Sequence, residues 1–115
     1  RMRLKSELIV SALIRRVFSA GGFAAVERKG ADAAGAIFIR QRQRGGIETL
    51  YGPAPQSLSD SEDLGSERRF ECRLKDAQAG EVDAVLEKER RFDSDLWVVE
   101  LETDTVEGLF TVVAD

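Results

Sequence analysis

Arginine stands at every second position in the stretch AIFIRQRQRGGIETLYG, at Arg40, Arg42 and Arg44. Alternate side chains of a strand share a face. Three guanidinium groups would then project together and could neutralise phosphate oxygens, with Arg15 or Arg16 adding to the field. Glu27-Arg28-Lys29 offers a second constellation. Its acid and amine lie two residues apart, a spacing that can set a metal ligand beside a water-activating lysine. Asp93, Asp95, Glu100 and Glu102 supply the hard oxygen donors that magnesium or calcium would need. Histidine is absent and Cys72 is the single cysteine. That removes imidazole acid–base catalysis, Ser–His and Cys–His nucleophile pairs, and imidazole-ligated metals. Carboxylates, Lys, Arg, Tyr51 and Cys72 remain.

Each grouping also has a plainer reading. Nucleic-acid sites on sheets usually add aromatic platforms, yet only Phe38 shares the arginine side. Ile37, Ile39, Gln41 and Gln43 point the other way. The chain carries 21 acids against 17 bases, a net charge of -4, which is the wrong sign for a dedicated nucleic-acid binder. The arginines are therefore read first as the charged outer face of a hairpin, discouraging edge pairing, with the acids from Asp60 to Glu67 close enough in sequence to pair with them. Asp93 and Asp95 suit a turn in which Asx side chains bond their own backbone. Glu100 and Glu102 suit the wet end of a strand. Cys72 alternates with Phe70 and Leu74, as a buried small hydrophobe would, while Arg69 and Arg73 face away from it. Trp97 reads as core.

The elements that must position these groups follow from periodicity. Val10, Leu13, Ile14 and Val17 fall at i, i+3, i+4 and i+7, with Phe18 widening the stripe. Ser6 is placed to cap this helix, Glu7 suits its first turn and Gly21–Gly22 stop it. The N-terminus has the outline of a leader peptide, basic, then apolar, then small. Glu7 precedes the apolar run, however, and Arg15–Arg16 close it after seven residues, so an amphipathic helix fits better. No segment reaches the ~20 apolar residues of a membrane span. With no intrachain disulfide available, a reducing, cytoplasmic setting is expected.

FAAVERK reads as a short strand and Ala36 to Arg42 as a second. Gly45 and Gly46 form a tight turn into IETLYG, which GPAPQ ends. Residues 57–67, Ser- and acid-rich, are expected to be a mobile surface loop. RRFECRLK is a half-buried strand. A helix runs from about Gly80 to Phe92, with Glu87 and Arg91 as an i, i+4 pair. LWVVELE is a strand whose unbroken apolar core predicts a central position. Residues 103–115 fit neither period cleanly. The 115 residues make one domain, of α+β class. Its order is helix, three-strand meander, strand, helix, strand, giving a mixed, mostly antiparallel sheet with two main helices packed on it. The strand–helix–strand unit from Arg68 to Glu102 would set its two strands parallel.

This order is also similar to that of restriction-endonuclease-like folds, which hold a divalent metal with an Asp and a Glu-x-Lys pair on successive meander strands. Here the Glu-x-Lys lies on the first strand, with no aspartate on a strand before it. The third strand, where the pair belongs, offers Glu48-Thr49-Leu50, an acid without the lysine.

The segments RLKSELIVSALIRRVFSAGGFAAVERKGADAAGAIFI, LYGPAPQ and RFDSDLWVVELE together resemble the short bacterial proteins of domain-of-unknown-function family 1491. The resemblance spans Arg3 to about Glu102. It implies a compact α+β domain with an aromatic, often Trp, commonly at the position of Ile9, where another apolar residue here points to packing rather than binding. It implies no activity, substrate or catalytic residue. The sequence thus favours a non-enzymatic cytoplasmic binding or interaction domain, with no catalytic residue, metal or other cofactor expected. The sequence leaves the partner open between another protein and a second copy of the chain, with no membrane expected. The alternative is an anion- or nucleic-acid-associated protein with a degenerate nuclease-like fold, binding through Arg15, Arg16, Arg40, Arg42 and Arg44.

Overall fold

A computed structural model describes residues 5–55 and 68–113. The acidic stretch at 57–67 therefore lies outside the described residues. Helix α1 runs Ser6–Ser19 and buries Val10, Leu13 and Val17, the stripe that periodicity predicts. Gly21, at φ 90°, ends it. The Gly22 N–H reaches the Val17 carbonyl and the Gly21 N–H reaches that of Phe18, the paired bonds of a Schellman stop. Its other end departs from expectation. Lys5 occupies the cap position and Ser6 is fully buried, its Oγ donating to the Gly35 carbonyl at 2.6 Å. The Ser6 and Glu7 N–H groups donate to the carbonyls of Ala33 and Asp32. The loop after β1 thus satisfies donors that a helix start leaves open.

Strand β1 (Phe23–Arg28) is followed by β2 (Ile37–Arg42), a tight turn, β3 (Glu48–Pro53) and β4 (Arg69–Ala77). Then come α2 (Ala79–Phe92), β5 (Trp97–Glu102) and a two-residue β6 (Thr111–Val112). The sheet order is β1-β5-β2-β3-β4-β6. The expected meander of the first three strands is therefore interrupted, because β5 inserts between β1 and β2. It pairs antiparallel with β1 and parallel with β2. The insertion follows from composition. Trp97, Val99 and Leu101 are buried on one face, Leu96 and Val98 toward the other, and only a central slot covers both. Strands β4 and β5 do run in the same direction, with β3 and β2 between them.

The helices cover opposite faces. Val10, Leu13 and Val17 of α1 pack with Ile37, Ile39, Val99 and Leu101. Val82 and Leu86 of α2 pack with Phe38, Leu50 and Val98. Glu81 accepts the Gln78 N–H to open α2, and Asp93 accepts the Asp95 N–H after it ends, the expected Asx turn. On the wet side Glu87 pairs with Arg90 at 2.9 Å, one residue short of the expected Arg91. The ambiguous tail becomes β6 beside β4, with Phe110 edge-on to both Tyr51 and Phe70. Among the described residues no helix is long and apolar enough to cross a membrane.

Candidate functional site

Because β2 lies between β5 and β3, the side chains on its α2 face start from inside the sheet rather than from its rim. Arg40 is only 4% exposed. Its Nε and Nη2 donate to Glu48 Oε1 at 2.9 and 2.6 Å. Its Nη1 donates to Asp83 Oδ1 at 2.8 Å and to Glu27 Oε2 at 3.1 Å. The remaining Nη2 proton points to the Ala79 carbonyl at 3.4 Å. All the N–H donors of this guanidinium have acceptors, which is how a buried cation is tolerated. Burial opposes its charge, yet the bonds to Glu48 and Asp83 and the field of Glu27 outweigh that and raise its pKa above the ordinary arginine value.

Glu48 is fully buried, opposite Arg42 in the β2–β3 register. Its Oε2 accepts from Arg42 Nε at 3.0 Å and Nη2 at 2.8 Å. One carboxylate thus sits between two guanidinium groups with both oxygens occupied. Arg42 also pairs with Glu100 at 3.1 Å. The Glu48 bond, set against desolvation, raises the Arg42 pKa as well. Two arginines face four carboxylates here (Glu27, Glu48, Asp83 and Glu100), so the cluster is net negative.

The five arginines are not gathered into one site. Arg40 and Arg42 share a face as alternation requires. Arg44 lies in the turn beyond the strand, 91% exposed and paired with Asp104 at 2.9 Å. The adjoining open cleft of about 570 Å³ also carries Glu102 and Asp104. Arg15 and Arg16 belong to α1, on the other side of the sheet, where Arg16 Nε donates to the Leu109 carbonyl. The charged outer face expected of the hairpin is thus in part an inner one.

Glu27-x-Lys29 does not assemble. The β1–β5 register slips between Val26 and Arg28; Glu27 stays on the α2 face and reaches Arg40, while Lys29 lies past the end of the strand. Among the described residues no three His, Cys, Asp or Glu side chains converge to hold a metal. Cys72 is exposed rather than buried. A register shift between Leu50 and Tyr51 breaks the alternation of β4, so Phe70 faces the α1 core and Leu74 the α2 core. Tyr51 is a poor candidate base. Burial first, then the charges of Cys72 and Asp76, push its phenol upward. Trp97 is core, its Nε1 donating to the Ala31 carbonyl. The residue that sequence reasoning missed is Asp83, which comes from α2 and has no local signal. For Arg40 a signal existed, since Phe38 precedes it by two on a strand entered through Ile37 and Ile39.

The model of the family described as "Protein of unknown function (DUF1491)" matches residues 4–111. The chain belongs to that family. A protein from A. tumefaciens, known from its solution structure, is 66% identical with a TM-score of 0.88, the match covering 99% of this chain and 98% of the other. A crystal structure of a DUF1491 family protein from Caulobacter crescentus matches at 31% identity and a TM-score of 0.76, over 96% and 99% of the two chains. An NMR structure of a DUF1491 family protein from the same species gives 31% and 0.78, over 99% and 100%. No curated protein matches the chain. Ile9 packs half-buried against the α1 core.

Proposed function

We propose that this DUF1491 chain is a non-enzymatic binding domain, and that its buried ion cluster is structural. The observation that carries this reading is the saturation of Glu48. A catalytic carboxylate needs an oxygen free to take a proton or a metal, whereas both oxygens of Glu48 accept from arginine. The surface offered to a partner is the β1 edge of the sheet, where Phe18, Phe23 and Val26 remain 41–50% exposed. The test is turnover. Single- and double-stranded DNA, RNA and a nitrophenyl phosphate ester, each with Mg²⁺ or Mn²⁺, should remain intact. Metal-dependent cleavage that Glu27→Gln abolishes would overturn the reading.

The anion-binding alternative has less support, because Arg40, Arg42 and Arg44 each already face a carboxylate. It requires oligonucleotide affinity that falls steeply with salt and weakens in the Arg42→Ser, Arg44→Ser double variant.

A further inference from the structure

The two edges of the sheet are unequal. At one end β6 pairs only with Arg69 and Phe70 of β4, so most of that edge is β4 itself, where Glu71, Arg73, Lys75 and Asp76 supply charge against pairing. At the other, β1 presents six residues, FAAVER, without proline and with charge only at its final two positions. Beside it Phe18 of α1 meets Phe23 edge-on at 5.7 Å, and Ile14 is half-buried along the same flank. Monomeric sheets commonly guard such an edge with lysine, proline or a covering loop.

Resting on the binding-domain reading above, we infer that the partner of this edge is a second copy of the chain. The two β1 strands would pair antiparallel across a two-fold axis near Ala25. Strand pairing requires opposed residues to share a face. About Ala25 this sets Ala24 against Val26 of the second copy, small against branched, and Phe23 against Glu27. No like charges meet. The bulge after Val26 limits regular pairing to Ala24–Val26, and Phe23 meets Glu27 at its margin.

Charge complementarity selects a second copy over an arbitrary peptide. A two-fold axis perpendicular to the sheet brings both α1 helices to the same face, running antiparallel. Glu7, Ser11 and Arg15 recur at intervals of four and are all exposed. About Ser11, Glu7 of one copy comes opposite Arg15 of the other, twice by symmetry. Buried aromatic side chains contribute about 150–250 Å² each. Phe18 and Phe23, each about half exposed, therefore offer roughly 200 Å² per copy. Stable interfaces bury about 1,200–2,000 Å² in total, so backbone pairing and the helix flanks must add to this, and the dimer is a weak, concentration-dependent one.

Sedimentation equilibrium from about 10 µM to 1 mM at low salt tests it. The mass should rise from the 12.7 kDa of the monomer toward twice that. Val26→Lys should leave a monomer of unchanged melting temperature, since Val26 is 41% exposed. Glu7→Arg and Arg15→Glu singly should weaken association about tenfold, and the two together should restore it. A monomer throughout, a dimer indifferent to Val26→Lys, or a double variant no better than the singles would each overturn the inference. The cleavage assay separates the two failures. Turnover removes the binding-domain reading itself, while a monomer without turnover removes only the second copy.

Discussion

Glu48 sits at 0% exposure between two cations that reach it from one neighbouring strand. Removing one partner of a buried ion pair costs about 3–5 kcal/mol, because the survivor is left uncompensated. Glu48→Gln keeps the shape and removes the charge, and is expected to lower the unfolding free energy by about 3 kcal/mol in urea. Arg40→Met combined with Glu48→Leu should recover much of that loss, since apolar replacement of a whole buried pair is often neutral. A double variant as unstable as the single would show that the arginine also supports Asp83 and Glu27 independently. Tyr51 makes a separate prediction. A phenol whose folded pKa lies above its ordinary 10.0 contributes stability that is fully present below pH 10. That stability is lost as the pH rises through the folded value. Tyr51→Phe should therefore lose less stability than the parent as the pH rises above 10 in a denaturant titration.

At the scale of elements, both helices, every long strand and the glycine turn at Gly45–Gly46 were legible from period and turn chemistry. Local pattern could not give register. The bulge in β1 puts Arg28 opposite Val98, on the same face as Glu27 rather than the reverse one, and the shift in β4 sends Leu74 to the face opposite Phe70. Both shifts are set by the partner strand. Arg40 was misplaced for the same reason, since its depth depends on β5, which arrives from Trp97 onward to pair with Ile37 and its neighbours. Close approach of the loop before β2 to the start of β5 yields a sharp prediction. A Cβ on Gly30 would overlap the Asp95 carbonyl, and backbone cannot yield as a side-chain tip can. Gly30→Ala is expected to cost about 2 kcal/mol, read as a lowered urea midpoint. A comparable Gly80→Ala change, with open space around it, should be neutral or stabilising.

At the scale of the molecule, β5 is the seam. It is the sheet partner of β1 and one of two partners of β2. It also supplies Trp97, Val99 and Leu101 to one core and Leu96 and Val98 to the other. A fragment ending at residue 92 retains both helices and four strands in sequence, yet it leaves β1 without its partner and opens both cores. It should give collapsed amide dispersion by NMR, and adding a peptide of residues 93–113 should restore native dispersion. A folded fragment would mean that β1 can find β2 directly, the meander that the sequence suggested. The position of β5 bears also on the order of synthesis. A ribosome delivers the chain from its N-terminus, so β1 and β2 emerge long before the strand that belongs between them. Until Trp97–Glu102 have cleared the exit tunnel, Ile37, Ile39 and Val17 lack the strand that shares their core.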